Sequence, residues 1–187
     1  MATSQSARPV RVVPPQKPRL PEPSSFTSNV RGTRVSAILG VALGVAFGIC
    51  FLTGLASHLV QHPQSWLEWP ARPVNLYRWV TATHTTTGVA SVALLVAKLW
   101  ASYPALWKRP IFRNLPHAVE RVSLIPLVGG SILLLADGMA DHFYWYANPR
   151  FFTPTHYWLA WITMGALLVH VGAKIKTTRQ ALRGETP

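Results

Sequence analysis

The chain has 187 residues, of which 49% are hydrophobic and only 13% charged, and its net charge is +12. A soluble domain carries about 25% charged residues, so this composition, with its apolar residues gathered in four long blocks, excludes an ordinary soluble fold. A single cysteine, Cys50, excludes an intrachain disulfide, a cysteine-ligated iron–sulfur cluster and a C-x-x-C-H attachment.

Residues 1–34 are polar and interrupted by Pro9, Pro14, Pro15, Pro18, Pro21 and Pro23, with Arg8, Arg11, Lys17 and Arg19 spread among them. This is the composition of a disordered tail, not of a secretory signal: the apolar stretch that follows is too long, and no cleavage site stands out. Four candidate spans follow, Val35–Val60, Trp79–Tyr103, Val122–Met139 and Thr155–Ile175. Each is near the ~20 residues needed to cross a bilayer. Pro126 and Gly129-Gly130 loosen the third. The connections are short, so the expected fold is all-α: an integral membrane, antiparallel four-helix bundle over residues 35–176, with a cytoplasmic tail over 177–187.

The basic residues predict the orientation. With the N-terminus inside, the inner side holds all of the 18 lysines and arginines except Arg72, Arg78 and Arg150. This asymmetry accounts for the high net charge without nucleic acid. Trp66, Trp69, Trp79, Trp145 and Trp158 fall near outer helix ends, and Trp100 and Trp107 near the inner end of the second span, as aromatic belts.

His156 and His170 are the most informative pair. Fourteen residues at ~100° each come to within about 40° of four full turns, so both leave one face of the last helix, roughly 21 Å apart along its axis. One ring therefore lies toward each side of a ~30 Å hydrocarbon core. Histidine within a span is rare and costly, and a functional reading is the default. Such rings suit two stacked haems, each completed by a histidine at similar depth on another helix.

At the outer level His84 is the expected partner of His156, with His58 as its rival and His62 a weaker one. Gly88 removes bulk beside His84, and Thr83, Thr85, Thr86 and Thr87 are placed to hold its second nitrogen. His58 and His62, at i and i+4, are also spaced to clip a metal or line a quinone pocket. At the inner level His170 has only His117, in the loop before the third span, as a candidate partner. Arg121 and Lys174 are placed to meet propionates or simply to snorkel. Gly40, Gly44 and Gly48 form a small-x-x-x-small pattern suited to helix packing or to the approach of a flat macrocycle. Cys50 reads as a packing or lipid-facing residue. Asp137 and Asp141 read mainly as a helix terminus emerging into water, with proton carriage for quinone chemistry as the alternative. No phosphate-binding loop, G-x-S-x-G or H-E-x-x-H occurs, so hydrolase chemistry has no support.

The four spans and the H-x13-H of the last one resemble the b-type cytochrome subunits of membrane formate dehydrogenases and nickel–iron hydrogenases. In that class the fourth helix gives one ligand to each of two haems and a histidine of the second completes the outer one; His156, His170 and His84 match those places. The inner end of the first span departs from the formate-dehydrogenase pattern, since Val35 to Leu39 offer no ligand, so an inner haem is either absent or uses His117. The stretches FLTGLASHLVQHPQSW, WPARPVNLYRWVTATHTTTGVAS, LPHAVERVSLIPLVGG and HYWLAWITMGALLVHVGAK are similar to the cytochrome b-like membrane module of bacterial molybdopterin-dependent oxidoreductases of the sulfite-oxidase type. That likeness covers about residues 31–183. It implies one or two b haems, electron exchange with a quinone pool and a separate molybdopterin catalytic partner, and a respiratory electron-transfer subunit of the bacterial cytoplasmic membrane with both termini inside. A haem-free anchor or assembly subunit is the alternative. A transporter is a third reading, and the lack of discontinuous, repeated helices argues against it.

Overall fold

In hydrocarbon an apolar run can satisfy its backbone only along itself, so each of the four blocks winds into a helix. The computed structural model describes residues 32–106, 115–145 and 149–184. It contains α1 (Thr33–Gln61), α2 (Leu76–Leu106), α3 (Leu115–His142) and α4 (Pro149–Arg183). All four are long and apolar enough to cross a membrane, the architecture of a multi-pass membrane protein. No strand occurs among the described residues. The predicted tail lies outside the described residues up to residue 31, and its last two positions, Thr33 and Arg34, already belong to α1.

The helices outrun the predicted spans because hydropathy marks only the part that suits lipid, while polar flanks continue the hydrogen-bond ladder. α3 begins at Leu115, seven residues before the expected Val122, with Pro116 in the first turn where a missing N–H costs nothing. His117 is thus in the helix and not in the loop. Pro126 is accommodated inside α3 without ending it. α4 runs on through residues 177–183, expected to be tail, and stops at Gly184, whose φ of 77° is the left-handed conformation that closes helices.

α1 packs mainly on α2 and α3 mainly on α4. The two hairpins meet more closely along α1 and α4 than along α2 and α3. α2 and α4 therefore stand on one diagonal of the bundle. Small residues make this packing possible: Ala37, Ala101, Ala166, Ser91, Ser131 and Thr163 are buried, while Leu52, Val96, Ile125 and Leu168 face outward. Lipid tails are as apolar as leucine, so helices associate by close approach of small side chains and not by sequestering large ones. Two of the interior hydroxyls are satisfied locally, Ser91 Oγ donating to Thr87 O at 2.7 Å and Ser131 Oγ to Leu127 O at 2.6 Å. Gly130 of α3 sits where a Cβ would overlap Thr163 Oγ1 of α4, so glycine is what allows that approach.

One end of the bundle joins the C-termini of α1 and α3 to the N-termini of α2 and α4. There Gln61 Nε2 and Ser57 Oγ of α1 bond the Tyr77 hydroxyl of α2 at 3.1 and 3.4 Å. At the opposite end Lys98 of α2 reaches Ser36 of α1. Among the described residues the first end holds five of the histidines and the second the lysines Lys98, Lys174 and Lys176.

Candidate functional site

Two histidines from diagonally opposed helices meet inside the histidine-rich end. His84 stands eight residues into α2 and His156 seven into α4, roughly 12 and 10 Å from those helix starts at ~1.5 Å per residue. Their ring centroids are 6.1 Å apart with planes at 71°. Matched depth and the diagonal placement of α2 and α4 bring the rings to one another across the bundle interior.

Each ring is held by its δ nitrogen. His84 Nδ1 bonds the carbonyl of Cys50 in α1 at 2.8 Å, and His156 Nδ1 bonds Asp137 Oδ2 in α3 at 3.0 Å. A carbonyl and a carboxylate only accept, so Nδ1 donates in both rings, and in the neutral form of either imidazole the lone pair lies on Nε2. This is the arrangement by which metal-binding histidines are oriented: one nitrogen tied to a carbonyl or carboxylate, the other free to coordinate. All four helices contribute, α2 and α4 a ring each, α1 and α3 an acceptor each.

α1 also shapes the space. Cys50 Sγ lies 3.5 Å from His84 Nδ1, and Thr53 Oγ1 is at the same distance. A Cβ added to Gly54 would come within 2.8 Å of His84 Cε1 and 3.1 Å of Nδ1, so the ring occupies the room that glycine leaves. Gly138, one residue after Asp137, borders His156 at an ordinary contact distance.

Several expectations are corrected here. Gly88 does not make space for His84; a Cβ added there would meet Cys50 Sγ at 3.8 Å across the α1–α2 seam, and Gly54 makes the space. The threonines around His84 do not hold its second nitrogen: Thr87 Oγ1 returns to its own helix, bonding Thr83 O and His84 O. Of the two readings of Cys50, packing is the one observed: it is half-buried against His84. Asp137 is half-buried on His156, whereas Asp141 is exposed as expected of a helix end. Sequence reading missed Gly54 and the acceptor roles of Cys50 and Asp137. An acid within an apolar span, and a small pair at i and i+4 on the neighbouring helix, were the available signals.

His58 does not join the pair. It stacks between His62, at 4.3 Å, and Tyr157 of α4, at 4.2 Å, near the helix ends. His170 is half-buried one long stretch down α4 from His156. The side chain of His117 lies outside the described residues, and so does any meeting of it with His170.

Among the described residues no group of three or more His, Cys, Asp or Glu converges to hold a metal ion. Two imidazoles alone suit a metal whose other positions a macrocycle fills. No family model, curated protein or solved structure matches the chain.

Proposed function

We propose that the protein is a membrane b-type cytochrome, an electron-transfer subunit that binds haem between His84 and His156. The observation that carries this reading is the meeting of two imidazoles from diagonal helices, 6.1 Å between centroids, each with its δ nitrogen committed to an acceptor. Haem b, when bound, supplies one-electron redox chemistry. The chain supplies the rest. His84 and His156 would hold the haem iron through Nε2. The Cys50 carbonyl and the Asp137 carboxylate fix which nitrogen that is, and Asp137 makes His156 the more basic donor. Gly54 leaves the ring its place, and the apolar helices keep water away.

A second haem on His170, completed by His117, belongs to the same reading, as do a quinone pool and a separate molybdopterin oxidoreductase as electron partners. So does the orientation in a bacterial cytoplasmic membrane with both termini inside, supported by the bias of lysine and arginine to one end. Purified from cells grown with ample haem, the protein is expected to carry one or two haems per chain and to show reduced-minus-oxidised bands of b type. A haem content near zero would reject this reading and leave a membrane anchor or assembly subunit.

Asp137 has its own test. Asp137→Ala leaves His156 Nδ1 without its acceptor and is expected to loosen haem by about 10- to 100-fold, with Asp137→Asn intermediate because its amide oxygen still accepts. The rate of haem transfer to apomyoglobin reads this directly, and wild-type retention in the alanine variant would make Asp137 a bystander.

A further inference from the structure

α1 ends in a pair of histidines that the His84–His156 site does not use. His58 and His62 stand four residues apart, and at ~100° per residue both leave one side of the helix, a turn from one another. Their rings are stacked, centroids 4.3 Å apart and planes at 23°. Tyr157 of α4 lies on the other face of His58, at 4.2 Å and 22°. His58 is thus clamped between two rings and half-buried, while His62 is exposed.

The nitrogens of the pair are open to a ligand. His62 Nδ1 bonds the carbonyl of His58 at 3.2 Å. A carbonyl only accepts, so Nδ1 donates and the lone pair of the neutral ring lies on Nε2. A second nitrogen tied to a carbonyl is how metal-binding histidines are oriented. His58 is held by its ring contacts, and neither of its nitrogens makes a hydrogen bond among the described residues. The helix end adds to this. Pro63 cannot continue α1, so the last carbonyls and the negative end of the helix dipole lie beside these rings, where they favour a cation.

The donor set says which cation. Imidazole suits zinc, copper and nickel, whereas calcium and magnesium take oxygen ligands. Two histidines at this spacing on one helix face are the zinc-binding pair of an H-E-x-x-H motif, here without its glutamate. Inside the bundle two imidazoles leave the other positions of a metal to a macrocycle; at an exposed helix end water fills them.

We propose that His58 and His62 form a chelating surface site for a first-row divalent transition metal ion, with water completing the coordination. Tyr157 positions the site by fixing His58, and only the exposed His62 ring has to turn for two nitrogens to converge. The site is separate from the His84–His156 pair and is independent of haem.

The test uses the full chain in detergent, without a polyhistidine tag, equilibrated with copper, nickel, zinc or calcium salts. Wild type is expected to hold one tightly bound Cu²⁺ per chain, with two imidazole nitrogens in its electron paramagnetic resonance spectrum. Ni²⁺ and Zn²⁺ should bind more weakly and Ca²⁺ not at all. Losing a ligand costs more than losing the acceptor behind it, so His58→Ala and His62→Ala should each weaken Cu²⁺ by more than about tenfold, against less than about twofold for His142→Ala, an exposed histidine at the same end. Equal Cu²⁺ affinity in His62→Ala and His142→Ala would overturn the proposal, as would a wild-type spectrum with a single imidazole nitrogen. If His58→Ala does not fold, His62→Ala, whose ring is exposed past the last turn of α1, and the nitrogen count on wild type decide it.

Discussion

Alanine in place of His84 or His156 is expected to remove one haem per chain. In the proposed haem site each ring would supply one of the protein's bonds to the iron, and losing an oriented ligand outright costs more than losing its hydrogen-bond acceptor, which is itself about 10- to 100-fold in metal affinity. Affinity at this site should therefore fall by more than about 100-fold in either variant. The two substitutions should not add, because removing one ring already breaks the six-coordinate centre. His58→Ala is the informative control. Its ring is stacked on His62 and Tyr157 and away from the pair, so its haem content should match wild type. Added imidazole should restore a six-coordinate low-spin spectrum to His84→Ala by filling the vacated volume, which separates a missing ligand from a misfolded bundle. A full complement of low-spin haem in the double variant His84→Ala/His156→Ala would sink the assignment.

Gly54→Ala is expected to be as damaging as a ligand change, against the ordinary sign of such a substitution. Alanine in a helix is favoured over glycine by about 1 kcal/mol, and at Gly44 and Gly48, where an added Cβ meets nothing within 4 Å, Gly→Ala should be neutral or stabilising. At Gly54 the same methyl would stand 2.8 Å from a ring carbon of His84. That ring is tethered to Cys50 O and has little freedom to retreat. It must turn, break the tether and leave its place opposite His156. Haem per chain should drop severalfold in Gly54→Ala while thermal stability of the bundle in detergent changes by no more than about 1–3 kcal/mol, the usual range for overpacking. Gly44→Ala and Gly48→Ala should keep full haem. Equal haem in all three variants would show that the ring does not depend on the gap at Gly54.

The two substitutions differ in how visible they were beforehand. An imidazole in an apolar run announces itself, because burying a polar ring in hydrocarbon needs a reason. His84 and His156 could be paired by depth alone, since short connections fix antiparallel order and the helical rise fixes level. Gly54 gave no such sign. Glycines are common in membrane helices, and α1 has a more regular series at Gly40, Gly44 and Gly48 that drew attention instead. Only the packing of α1 on α2 separates them, placing Gly40 on Lys98 and Gly54 on His84 and leaving the other two open. The same holds for Asp137. Its position near the end of α3 suited a terminus in water, and it took the placement of α3 against α4 to turn it toward His156.

The linear order of residues determined the helical class, the number of apolar helices and the levels at which the histidines stand, because hydrocarbon leaves a backbone no other solution and helical rise converts spacing into depth. It also determined the sidedness of charge. Azimuth was beyond it: which way each helix is turned depends on how small side chains interlock with neighbours far away in the chain. The tertiary structure alone decided that α2 faces α4 across the bundle, that Cys50 and Asp137 hold the two rings by their δ nitrogens, that His58 stacks elsewhere, and that Lys98 turns inward to Ser36.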